Sequence, residues 1–147
     1  MATSYWYGQF FVNQLNGTTV VDFDTDTLKC ALTTSSYTPN QDTHDYFNDI
    51  TNEVSSSGTG YTAGGVTLAS VSVSYDAASN ECRITFTDPS WTSATFTARY
   101  AVLYKSTGVS STSPLIAYVD MTSDQSVSSG TFTLDFSATA ALKLTVA

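Results

Sequence analysis

The chain has 147 residues, 41% of them hydrophobic, which suffices for one domain with a real core and is too short for two ordinary ones. Thirteen acidic residues against five Lys and Arg give a formal net charge of −8, so no cationic surface is at hand to neutralise phosphates or anionic headgroups, which argues against nucleic acid and membrane as partners. About a third of the residues are Ser or Thr, only 12% are charged, and Tyr and Phe number nine and eight; this is a composition of strands and turns, and the expected class is all-β.

Met1-Ala2-Thr3 opens without a basic or apolar leader, and no window approaches the roughly 20 apolar residues of a membrane span, so the chain is expected to be made and kept in a cytoplasm. The run Ser4 to Val12 then places Tyr5, Trp6, Tyr7, Phe10 and Phe11 on both alternating faces of an expected strand. Two readings stand: a central strand covered on both sides, or an N-terminal interface strand or arm over 1–13 whose second face is an aromatic contact surface. Asp22, Asp24 and Asp26 have the opening spacing of a calcium loop, but Thr27 and Thr33 occupy the positions that need Gly and Glu, which leaves the wet face of a strand.

Leu28 to Leu32 and Cys82 to Phe86 alternate as half-buried strands and carry the two cysteines, read as small buried thiols; there is no C-x-x-C. Between them, Asp42 or Thr43 can cap a short helix carrying Tyr46, Phe47 and Ile50, with the only histidine, His44, on its surface. Gly58 to Leu68, GTGYTAGGVTL, imitates a dinucleotide fingerprint. It follows loop composition and leads into a β-branched strand, where a phosphate loop must follow a buried strand and open a helix, so its glycines are read as backbone geometry in a surface loop, a candidate rim facing a neighbour. From Val66 to Tyr75 the alternation slips phase, and a β-bulge at Ala69-Ser70 would restore one face.

Arg99 to Tyr104 and Leu115 to Met121 are apolar on both faces and joined by turn residues, which predicts a hairpin through the middle of a sheet with covers on both sides, one of them a possible second subunit. Phe132, Leu134 and Phe136, and then Leu142, Leu144 and Val146, alternate as one-sided strands. The sum is eight or nine strands in a single domain over 1–147: a two-sheet antiparallel β-sandwich, jelly-roll or immunoglobulin-like, with one short helix.

Nothing in the sequence assembles a catalytic, cofactor or metal site. No Ser sits in a nucleophile elbow to partner His44, and Asp and Glu fall mainly in turns. The residues nominated are interface candidates: Tyr5, Trp6, Tyr7, Phe10, Phe11, Tyr61, Tyr100 and Tyr118. The ordered strings TLKCALTTSSYTPNQDTHDYFNDI, NEVSSSGTGYTAGGVTL, DPSWTSATFTARYAVLYKSTG, SPLIAYVDM and GTFTLDF, from Thr27 onward, resemble small structural proteins of tailed bacteriophages, similar to capsid decoration (cement) proteins. The resemblance implies a non-enzymatic protein that binds the major capsid protein on the outside of an assembled shell and stiffens it. It further implies a homo-oligomer, most often a trimer, made in a bacterial host and located on the virion exterior. The alternative is a tail-associated or head-fibre β-sandwich that binds a host surface glycan or receptor.

Overall fold

The computed structural model describes residues 3–146. Its elements in order are β1 (Thr3–Trp6), α1 (Gly8–Asn16), β2 (Leu28–Thr33), β3 (Val66–Thr67), β4 (Ser72–Asp76), β5 (Glu81–Thr85), β6 (Ser90–Lys105), β7 (Leu115–Thr133) and β8 (Leu142–Thr145), with 3-10 turns at Phe47–Asp49 and Ser110–Thr112. They form two antiparallel sheets, one of order β1-β7-β6-β2-β3 and one of order β4-β5-β8. This is the expected all-β, two-sheet antiparallel architecture with a single short helix.

The long β6–β7 hairpin is the frame. Its proximal half is the predicted doubly apolar pair, with Ala101 to Tyr104 and Leu115 to Ala117 each at most 3% exposed. Both covers come from the same chain. On one side Cys30, Leu32, Ala101, Leu103 and Val119 join the main core with Ile84 and Leu142 of the second sheet. On the other, Tyr7, Tyr37, Phe47 and Ile50 close over Ala31, Val102, Tyr104 and Leu115. The loop that follows β2 thus provides the second cover over Val102, Tyr104 and Leu115 within the same chain, while Tyr100 and Tyr118 of these strands stay half-buried at its edge. The distal half, Ser90 to Ala98 with Gln125 to Thr133, carries register shifts and positive φ angles at Ser93 and Ser129. Bulges of this kind bend a ribbon, and here the bend lays Trp91, Ala94, Phe96 and Ala98 on the main core.

Several local expectations change. The helix lies at Gly8–Asn16, not at Thr43 to Ile50. After Trp6 the ladder with β7 ends. Gly8 N–H donates to the Gln41 carbonyl at 2.9 Å, and Gly17, at φ 74°, ends the helix in the left-handed conformation favoured after a last turn. At 43–50 the Asp49 carboxylate accepts the N–H groups of Asp45 and Tyr46, and only Phe47–Asp49 is helical, as a 3-10 turn. Phe47 stacks on Tyr104 with centroids 4.1 Å apart, so the loop's apolar residues cover the sheet one by one without needing a helical stripe. His44 accordingly sits half-buried in a turn rather than on a helix.

The phase slip at Ala69-Ser70 is a change of sheet and not a bulge: β3 pairs with β2, Ser70 turns at φ 55°, and β4 pairs with β5. Asp22, Asp24 and Asp26 belong to a turn, in which Asp24 N–H donates to Asp22 Oδ1, Asp22 N–H donates to Asp26 Oδ2, and Asp26 pairs with Lys105 at 2.8 Å. The burial alternation through Phe132, Leu134 and Phe136 holds, but the strand ends at Thr133. Of Leu142, Leu144 and Val146 only Leu142 is buried. Cys30 is fully buried whereas Cys82 is half-exposed, and both are free.

Candidate interaction surface

β1 runs antiparallel to β7 with Tyr5 opposite Tyr118 and Trp6 opposite Ala117. Alternation sends Tyr5 and Tyr7 to the outer face of the five-stranded sheet and Trp6 to the inner one. On the outer face Tyr5 and Tyr118 stack at 5.3 Å with planes 22° apart, and Tyr7 tilts against Tyr118 at 5.4 Å. One strand over, Tyr100 lies opposite Asp120 and meets Tyr37 edge-on at 6.0 Å. The register shift between Ala98 and Tyr100 turns Arg99 toward this face. Its guanidinium lies 5.2 Å from the Tyr100 ring centroid and donates two bonds of 2.9 Å to Asp120 Oδ1. The cation is thus neutralised in place.

Behind the rings runs a short polar chain. The Tyr7 and Tyr37 hydroxyls share a hydrogen bond of 2.8 Å, and the Tyr37 hydroxyl bonds His44 Nδ1 at 2.9 Å. Burial pushes the Tyr7 hydroxyl far above the ordinary phenol range and Tyr37 up to about 12, and Tyr118 is raised chiefly by its partial burial. All three phenols are therefore held in the neutral form, as aromatic rings that carry a hydroxyl able to hydrogen-bond. Tyr5, at 42% exposed, is the open edge of the platform, with Tyr100 and Tyr118 half-buried beside it. Thr3 and Asp120, each two residues along the same strands, begin a shallow open groove of about 350 Å³ that continues past Thr122, Gln125 and Asp135.

The eight nominated residues therefore separate into three groups. Tyr5, Tyr100 and Tyr118 meet on this outer face. Trp6 and Phe11 stand half-exposed on the inner side of β1, 5.1 Å apart, packed on Phe10. Tyr7, Phe10 and Tyr61 are buried, at 0%, 6% and 3% exposed, and cannot reach a partner. Tyr61 is drawn inward because its hydroxyl donates to Glu53 Oε1 at 2.6 Å and accepts Leu32 N–H at 3.0 Å. Tyr61 is thereby withdrawn from the rim, while Gly58, Gly60, Thr62 and Ala63 of its loop remain exposed. The residues that sequence reasoning missed are Arg99, Asp120, Tyr37 and His44, whose convergence depends on strand register that no local pattern encodes.

Among the described residues no three His, Cys, Asp or Glu side chains converge as a metal site, and no helix is long and apolar enough to cross a membrane. No known family model, characterised protein or solved structure matches the chain.

Proposed function

We propose that the protein is a non-enzymatic structural component of a phage virion that attaches to the outside of the capsid shell through its tyrosine face. The observation that carries this reading is the stacked Tyr5–Tyr118 pair, an aromatic platform open at Tyr5 and half-buried at Tyr118, beside a charge-neutralised Arg99–Asp120 pair on the outer face of the sheet. Such platforms contribute large contact area at low entropic cost and are typical anchors of protein contacts. The resemblance of the ordered motifs from Thr27 onward to decoration proteins supplies the partner, the major capsid protein, and the virion exterior as location. The negative charge of the chain is compatible with an outward site away from packaged DNA.

Cosedimentation with expanded capsids of the encoding phage tests the reading. Tyr5→Ala and Tyr118→Ala should each weaken binding by tens of fold, the scale of an aromatic anchor, whereas Val109→Ala, an exposed apolar residue elsewhere, should leave it unchanged. Equal binding by all four proteins would remove the proposal. A second reading, a tail-associated or head-fibre module that binds a host glycan or receptor, draws on the polar groove that begins at Thr3 and Asp120 beside the same rings. Saturable binding of host surface glycan, lost in Tyr5→Ala and absent for capsids, would favour it.

A further inference from the structure

A different face is left open on the second sheet. Tyr75, Cys82 and Leu144 lie in register across β4, β5 and β8, with Val73 opposite Ile84 and Ile84 opposite Leu142, so all six share one apolar face. Ile84 and Leu142 enter the main core, but Val73, Tyr75 and Leu144 are 41%, 57% and 46% exposed. The sheet outruns the body it covers. Where it meets α1 the two leave an apolar groove of about 260 Å³ with Trp6, Phe11, Phe23 and Leu144 in its walls. Leu15 of α1 forms part of the groove's wall and Val12 stands one turn away on the same helix; they are 86% and 51% exposed.

We propose that this face binds a second copy of the chain about a two-fold axis, with the Val12–Leu15 ridge of each α1 seated in the groove of the other. Ridge and groove lie side by side on one surface, which is the self-complementarity that a two-fold contact requires. From their fractional exposures, Val12, Leu15, Val73, Tyr75, Leu144 and Val146 leave on the order of 600 Å² of residue surface open per copy. Twice that is about 1,200 Å², the lower edge of a specific protein interface and more than a lone patch on a monomer usually shows. Charge selects the occupant. In a chain of net charge −8, neither Gly8–Asn16 nor any residue lining the groove is charged. Two copies can therefore meet here without apposing carboxylates, whereas an anionic lipid surface would be repelled by the remainder of the protein. The inference does not depend on what the tyrosine face binds.

Sedimentation of the full chain over a range of concentrations should show a monomer–dimer equilibrium. Leu15→Asp should weaken it about a hundredfold, because the axis applies each substitution twice. Leu15 is too exposed for this change to disturb the fold. Val109→Asp, an equally plain apolar-to-acid change outside the face at a residue 56% exposed, should leave the dimer intact. Alkylation gives an independent readout: Cys30 is fully buried, so thiol reactivity reports Cys82 inside the face, and it should slow as the dimer fills and stay fast in Leu15→Asp. A chain monomeric throughout the micromolar range, a trimer indifferent to Leu15→Asp, or equal weakening by Val109→Asp would overturn the proposal.

Discussion

Replacing Gly65 by alanine should be among the most damaging single-methyl additions this protein can receive. Gly65 is buried with φ at +75°, and a Cβ built there would fall on the Cys30 carbonyl and the Ala31 Cα. That backbone cannot step aside, because Cys30 is in register with Val66 of β3 on one side and Leu103 of β6 on the other. The left-handed conformation costs an alanine about 1 to 2 kcal/mol, and forcing a methyl into packed backbone costs about 1 to 3 kcal/mol more. Gly58 separates the two effects: its φ is +70° and nothing lies within 4 Å of an added Cβ, so Gly58→Ala should lose only the conformational part, about 1 kcal/mol. The gap of about 2 kcal/mol corresponds to a urea midpoint roughly 1 M lower for Gly65→Ala than for Gly58→Ala, at a slope typical of a small domain. Equal losses in the two variants would show that close approach to β2 is not what the glycine provides.

Two further outcomes follow from single side chains. Thr33 is 0% exposed and its hydroxyl finds no hydrogen-bond partner among the described residues, so Thr33→Val should raise the denaturation midpoint by about 1 kcal/mol of stability; a loss would mean that the hydroxyl is satisfied by a buried water. Glu81 accepts from Lys143 Nζ at 2.7 Å and from Arg83 at 2.8 and 2.9 Å, and these bonds, Lys143 first, hold its carboxyl down to about 2. A folded value below the unfolded one of about 4.3 means stabilisation that is present above the latter and lost as pH falls through about 2. Wild type should therefore exceed Glu81→Gln at neutral pH and converge with it near pH 2, with the gap reduced in high salt; a gap constant with pH would refute the assignment.

How far the fold could be read in advance depended on whether the relevant pattern was local. Arg99 to Tyr104 and Leu115 to Met121 announce a central hairpin because apart from Arg99 and Asp120 they are apolar on both faces, as double-sided burial requires. The N-terminal segment misled because Trp6, Phe10, Phe11 and Leu15 fit a period of 3.6 as well as the aromatics fit a period of 2, and in so short a run the stop signal Asn16-Gly17 was the better guide. Phe47 and Ile50 suggested a helical stripe, but they cover the sheet individually from a loop held by the Asp49 carboxylate. The contact surfaces were half-legible. Aromatic excess was visible, but the Tyr5–Tyr118 stack joins residues 113 positions apart and exists only through strand register. Likewise the alternation of Cys82 and Ile84 marks an apolar face, while how much of it lies beyond the body depends on where β8 and α1 come to rest.

The distribution of charge links the two proposed contacts. Arg83, Arg99, Lys105 and Lys143 are each bound to a carboxylate of the same chain, and the fifth cation, Lys29, shares a shallow pocket with Gly64 and Tyr104. The internal ion pairs leave the excess carboxylates to set the outer field, so close approach of any acidic or anionic surface is opposed over most of the molecule. Relief comes at two places. On the tyrosine face Asp120, the carboxylate beside the rings, is matched by Arg99, and the α1 groove has no charge at all in its lining. Association through either face is governed by ring and aliphatic burial, with repulsion from the remaining surface as the opposing term. Because salt shortens that repulsion to a few ångströms without weakening apolar contact, the proposed pairing of two copies that each carry a net charge of −8 should tighten as ionic strength rises, and the proposed attachment to a shell should do the same wherever the shell surface is acidic. A contact built on lysines and arginines would move the other way, and that sign separates the mechanism argued for these faces from one in which a partner is held by its charge.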